Sequence, residues 1–202
     1  MSEETKSPKK SKLKRELIDW GILILIAAVL YGTGLNKPIA AKLQQALLWT
    51  GIIQPNTSLN ESEFKKADFN VPLLTLDGEE ANLKDLEGKV IFMNQWATWC
   101  PPCIAEMPNI QGLFESLDND DVAFVMLSLD EDKKAAQQYI SDQGYTFPVY
   151  FYNGRRPGVY NSSVVPTTFI ISPQGMIVSR RLGMANYNTD TFKEFLANLS
   201  DS

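Results

Sequence analysis

The chain has 202 residues, a net charge of −5, no histidine and two cysteines. Without histidine, Ser-His-Asp and Cys-His nucleophilic chemistry and the histidine-based metal sites are excluded in their usual forms. The charge is uneven: residues 1–16 carry six Lys/Arg against three acids, so residues 17–202 sum to −8, an acidic body that argues against nucleic acid as a partner.

Length allows one domain of ordinary size with appendages. Met1 to Glu16 is polar and Lys/Ser-rich, which predicts a disordered basic tail. Residues 17–35 are apolar and free of charge from Trp20 onward. At about 1.5 Å per residue they extend about 28 Å, close to a hydrocarbon core of about 30 Å. Trp20 and Tyr31 stand near the ends, where amphipathic rings favour the interface. This predicts a transmembrane anchor with the basic tail inside and the remaining chain outside, most simply at a bacterial inner membrane. A cleavable signal peptide shares the basic start and apolar middle. However, the nearest cleavage-like site, Pro38-Ile39-Ala40-Ala41, lacks a small residue at its outer position. Either alternative puts the body in the same compartment.

Residues 36–60 read as a connector with a short amphipathic helix from Pro38 to Thr50, stopped by Gly51, and the domain proper is expected over 61–202. Val71–Leu76 and Glu79–Leu83 flank Asp77-Gly78 as a hairpin. Leu83–Leu86 forms one helical turn. The apolar run of Lys89–Asn94 predicts a buried strand, Pro101–Leu117 a helix, and Val122–Leu129 a second strand. Asp132–Gln143 is a helix stopped by Gly144. Strand, helix, strand implies a right-handed βαβ unit. Short Phe147–Phe151 precedes a loop or weak helix over Asn153–Tyr160. Thr167–Ser172 and Met176–Leu182 pair across Pro173-Gln174-Gly175, and Thr189–Leu199 is a closing helix.

Both cysteines fall at the strand-to-helix junction, in Trp96-Ala97-Thr98-Trp99-Cys100-Pro101-Pro102-Cys103. A Cys-x-x-Cys there points to a dithiol redox site. Cys100 is expected at the N-cap, where unpaired N–H groups and the helix dipole favour a thiolate. Cys103 sits one turn in, shielded and placed to attack a mixed disulfide on Cys100. Pro101 and Pro102 are tolerated because the first helical turn has no intrahelical use for their N–H groups. Three alternatives share the motif: an inert disulfide in an anchored interaction domain, a Cu(I) metallochaperone holding the ion between two thiolates, and half of a zinc site. Zinc needs about four ligands, which this chain lacks without carboxylates or a second chain, and no metal site is expected.

These elements, together with Glu106-Met107-Pro108 and Val165-Pro166-Thr167-Thr168-Phe169, resemble the membrane-anchored TlpA/ResA-like thiol–disulfide oxidoreductases of the thioredoxin superfamily over roughly residues 66–200. The resemblance implies an α/β thioredoxin-like fold, a mixed central sheet flanked by helices, with an N-terminal β-hairpin. It implies a redox-active Cys100–Cys103 disulfide and a cis Pro166 facing Cys100, with Val165 offering its backbone to a partner peptide as an added strand. Glu106 matches a family carboxylate; partial burial raises its pKa and fits it to relay a proton for Cys103. Asn94 stands where thioredoxins carry a buried aspartate, which leaves proton handling to Glu106. Trp99 and Pro101 complete the expected partner surface, and Trp96 belongs to the core. The implied partners are protein thiols and disulfides plus a membrane redox partner, with no cofactor. Relatives commonly work as reductants, as in cytochrome c maturation. The Thr-x-x-Cys of peroxidases within the broader fold is absent, since Thr98 stands two residues before Cys100.

Overall fold

The computed structural model describes residues 16–22, 24, 25, 29, 32, 36–55, 57, 64–117 and 121–201. The basic tail up to Arg15, much of the expected anchor and the start of the domain at residues 61–63 lie outside the described residues. Within 17–35 the described residues are helical. Among the described residues, no helix is long and apolar enough to cross a membrane. A compact unit runs from Ala41 to Ser202.

Helix α1 (Asn36–Trp49) precedes strands β1 (Lys65–Lys66), β2 (Pro72–Thr75) and β3 (Glu80–Asn82). Then come β4 (Val90–Trp96), α2 (Pro101–Ser116), β5 (Val122–Ser128), α3 (Lys133–Gln143) and β6 (Val149–Tyr152). Strands β7 (Thr167–Ile171) and β8 (Met176–Leu182) lead to α4 (Asp190–Ser200). Short 3-10 turns occupy Leu83–Leu86 and Gly158–Tyr160.

The strands form one sheet in the order β1-β8-β7-β4-β5-β6-β2-β3. Strands β4, β5 and β6 are mutually parallel and β7 runs antiparallel to β4. The βαβ unit, the hairpins and the mixed sheet follow the expected pattern. Every residue of β4 and β5 is buried, as their continuous apolar runs require of central strands covered on both faces. Helix α3 starts with Asp132 accepting from the Lys134 N–H and ends at Gly144, whose φ of 68° no β-carbon hinders.

The pleat of β4 sorts the core. Val90, Phe92 and Trp96 join Met107, Ile110 and Leu113 of α2, Ile140 of α3 and Phe192 and Leu196 of α4. Ile91 and Met93 face the other way, with Leu73, Leu83 and Tyr160. All three helices after β4 thus pack into one cluster, while the opposite face is closed by the hairpin and the two 3-10 turns. Asn94 shares the parity of Phe92 and Trp96, which directs a polar side chain toward α2.

The connector also belongs to the packing. Leu48 is buried, Ile53 packs against the larger cluster, and the Ile53 carbonyl accepts from the Asn186 N–H at 2.9 Å.

Candidate active site

Cys100 is the N-cap of α2 and is joined to Cys103 by a disulfide. The Cys103 N–H donates to Cys100 Sγ at 3.3 Å, one of the end-of-helix donors that stabilise sulfur as a thiolate. Pro101 and Pro102 fill the first two helical positions, which concentrates this duty on the Cys103 amide. Cys100 keeps 4 % of its surface and Cys103 none, so of the two sulfur-bearing side chains Cys100 is the one that reaches the surface. Beside it Trp99 is 54 % exposed and Val164 is 38 % exposed, an apolar rim that the core does not use.

The loop opposite turns on a cis Val165–Pro166 bond. It brings the Val165 carbonyl oxygen to 3.6 Å from Cys100 Sγ. Thr167 Oγ1 donates to the Val164 carbonyl at 2.6 Å and the Gly183 N–H to the Pro166 carbonyl at 2.9 Å, fixing the turn from both sides. The Val165 carbonyl just before Pro166 thus lies beside the Cys100 sulfur, with Trp99 next to Cys100 in the chain and Pro101 half-buried at the first turn of α2.

Glu106 lies one turn past Cys103 on the same helical face and is completely buried, more than the partial burial anticipated. Asn94 Nδ2 donates to Oε1 at 2.8 Å and the Ala185 N–H to Oε2 at 3.2 Å. Burial dominates and lifts the pKa from 4.5 to about 8; the Asn94 and Ala185 hydrogen bonds and the Arg181 charge oppose it. At neutral pH this side chain is mostly the neutral acid.

Several residues that build the site were not singled out from sequence. Asp130, just past β5, accepts from the Thr98 N–H at 3.1 Å, from Thr98 Oγ1 at 2.7 Å and from Ser128 Oγ at 2.9 Å. It ties down the loop that presents Trp99 and Cys100. A carboxylate at the C-terminal end of a parallel strand was the available signal. On the other face Gln95 Nε2 donates to the Tyr160 carbonyl at 2.9 Å, and Arg156 Nη1 donates to Gln95 Oε1 at 3.3 Å, bracing the loop before the cis proline. Thr168 and Tyr187 stand behind Asn94, joined by a hydrogen bond of 2.7 Å from the tyrosine hydroxyl. Among the described residues no group of histidine, cysteine and carboxylate ligands is placed to hold a metal ion.

Residues 64–180 match the AhpC/TSA family. The thiol-disulfide oxidoreductase ResA of Oceanobacillus iheyensis is 32% identical over 178 residues, covering 87% of this chain and 85% of that protein. ResA of Bacillus subtilis is 30% identical over 168 residues, 83% of this chain and 84% of its own length. A solved structure of a thiol:disulfide interchange protein DsbE from Chlorobium tepidum shares the fold, with a TM-score of 0.58 at 22% identity, covering 67% of this chain and 98% of that one. With a dithiol capping its helix and a cis proline facing it, the chain belongs to the AhpC/TSA family and is a thiol–disulfide oxidoreductase of the ResA type.

Proposed function

We propose that this oxidoreductase reduces disulfides of partner proteins outside the cytoplasm, held at the membrane by residues 17–35. The Cys100 thiolate attacks one sulfur of the partner's disulfide. That bond breaks, the other partner sulfur leaves as a thiolate, and Cys100 is left in a mixed disulfide. Glu106 then takes the proton of Cys103, whose sulfur attacks Cys100 Sγ. The Cys100–Cys103 bond forms, the partner's second sulfur leaves, and two electrons have moved to the partner. A membrane reductant returns the dithiol to its starting state.

The observation that carries this reading is a buried carboxyl one turn from the buried thiol, with a pKa of about 8. It accepts a proton as Cys103 attacks and remains protonated at neutral pH in the disulfide form described here. In the reverse direction the same proton would go to Cys103 as it leaves. Trp99, Pro101, Val165 and Pro166 form the partner surface in this reading, supported by the exposed indole and by the Val165 carbonyl beside the attacking sulfur. The reducing direction follows the resemblance to ResA-like proteins. The anchor is supported by the uncharged run from Trp20 to Leu35 behind a basic tail.

A Cys103→Ser variant, isolated from membranes after acid quenching, tests the mechanism. Partner proteins held on Cys100 by reducible bonds are expected, and in wild-type cells the dithiol should be found mainly reduced. A mainly oxidised dithiol in cells would reverse the direction. Absence of any covalent partner would remove the exchange mechanism. External protease should digest the domain in intact spheroplasts; protection would contradict the topology.

A further inference from the structure

Helix α1 turns apolar residues outward. Ala41 and Leu48 are buried, and Gln44 and Gln45 are half-buried. At about 100° per residue these four share one side of the helix. Leu43 and Leu47 stand on the opposite side, 68 % and 42 % exposed, with Ala46 exposed between them. A helix on the surface of a water-soluble domain carries polar residues on that side. Here two glutamines lie toward the domain and two leucines toward the surroundings. Ile52, just beyond the helix, is exposed as well. Lys42 is the one charged residue from Ala41 to Ile53.

Position in the chain says what meets this face. Asn36 opens α1 directly after the apolar run of residues 17–35. In that run Leu17, Ile18, Trp20, Ile22, Ile24 and Leu25 are each at least half exposed, the pattern of a helix solvated by lipid rather than packed in a core. A chain leaving the bilayer at residue 35 enters α1 at the level of the headgroups. An apolar face there settles into the boundary between headgroups and acyl chains, as amphipathic interfacial helices do. Lys42 is exposed at the border between the two sides, where its stem covers apolar surface while its ammonium reaches the lipid phosphates.

We propose that the Leu43 and Leu47 face of α1 is a second membrane contact, seated in the bilayer surface, which holds the thioredoxin-like domain against the membrane instead of leaving it on a free tether. This rests on the reading of residues 17–35 as the anchor. Helix α1 can transmit such a hold because its other side is fastened to the domain. Leu48 is buried, its carbonyl accepts from Asn186 Nδ2 at 3.5 Å, and the Ile53 carbonyl accepts from the Asn186 N–H at 2.9 Å. The seated helix thereby presents the dithiol to partners in a limited range of orientations.

The test uses the full chain with Cys100→Ser and Cys103→Ser, reconstituted into vesicles of phosphatidylethanolamine and phosphatidylglycerol. Single Leu25→Cys, Leu43→Cys and Leu47→Cys substitutions carry nitroxide labels, whose depth is read by power saturation with oxygen and a nickel chelate. The labels at residues 43 and 47 should lie about 5–10 Å into the headgroup–acyl boundary, and the label at residue 25 deeper. The double variant Leu43→Glu, Leu47→Glu should keep its urea midpoint in detergent, since neither leucine is buried. In vesicles its domain should tumble faster, read by the anisotropy decay of a probe on Asp142→Cys; an unchanged decay would overturn the contact. A lipid-buried label at residue 25 with water-exposed labels at 43 and 47 would also overturn it and leave the anchor standing. Spin–spin broadening between the labels of two chains at 43 or 47 would assign the face to a second copy, against the proposal. An aqueous label at residue 25 removes the anchor, and this inference falls with it.

Discussion

Asn94 Nδ2 lies 2.8 Å from Glu106 Oε1, so a strand that leads into the dithiol loop and the helix that leads out of it are joined inside the core. The amide and the Ala185 N–H both favour the carboxylate, yet burial outweighs them and the acid stays neutral until about pH 8. A fully ionised carboxylate there would be costly to bury, and a fixed neutral group would have no proton-accepting form. The site lies between those limits, as the proposed proton exchange with Cys103 requires.

Stability of the disulfide form should fall with rising pH on account of Glu106. Its pKa is about 8 folded and 4.5 ordinarily. Between these values the folded chain keeps a proton that the unfolded chain has released, so raising the pH favours unfolding. The contribution is complete below pH 4.5, shrinks through the window and is gone above about pH 8. The change is on the order of a few kcal/mol. Urea titrations from pH 4 to 9 should show this slope in wild type and lose it in Glu106→Gln.

The two tryptophans of the motif should separate cleanly. Trp96 is fully buried in the core, whereas Trp99 is exposed beside Cys100. Trp96→Ala should cost about 3–5 kcal/mol. Trp99→Ala should leave stability within about 0.5 kcal/mol but slow the reduction of protein disulfides more than that of a small disulfide. Denaturation curves paired with both substrates check this.

Asp130 should matter to the loop before it matters to the chemistry. Its carboxylate serves the Thr98 N–H, the Thr98 hydroxyl and the Ser128 hydroxyl. Asp130→Ala leaves these donors without it and should cost about 1–3 kcal/mol. Faster rotation of Trp99, measured by fluorescence anisotropy in a Trp99-only background, should accompany the loss. Unchanged anisotropy would mean that the loop is held by other contacts.

Much of this architecture was legible in the sequence because its signals are local. The run Val90–Met93 before Cys100, the Asp77-Gly78 turn and Gly144 each state their role within a few residues, and the elements around them formed as expected. The resemblance supplied Glu106 and Pro166. The environment of Glu106 was not legible: Asn94 and Thr168 are 74 positions apart in the chain, and only strand register brings them together. Tyr187 resembles any loop aromatic until the core places its ring on Phe92. The degree of Glu106 burial was underestimated for the same reason, since a helix position fixes the face of a side chain but not the depth of what covers it.

The connector should be felt at the site. Asn186 donates its N–H to the Ile53 carbonyl, and its neighbour Ala185 donates to Glu106 Oε2. Removing residues 1–57 should loosen this segment and raise the Glu106 midpoint, because a donor to the carboxylate is weakened. Amide hydrogen exchange at Ala185, compared between the full and shortened chains, gives the answer; equal protection would show that the loop holds itself.

The most direct test of the central claim is the rate at which Cys103 resolves a preformed mixed disulfide on Cys100, measured by stopped flow across pH 6 to 10. Wild type should accelerate with pH through a midpoint near 8, and Glu106→Gln should be slower by at least about tenfold at that midpoint, where Glu106 is half ionised. Identical rates and profiles in the two proteins would show that Cys103 loses its proton without Glu106, and would contradict the mechanism.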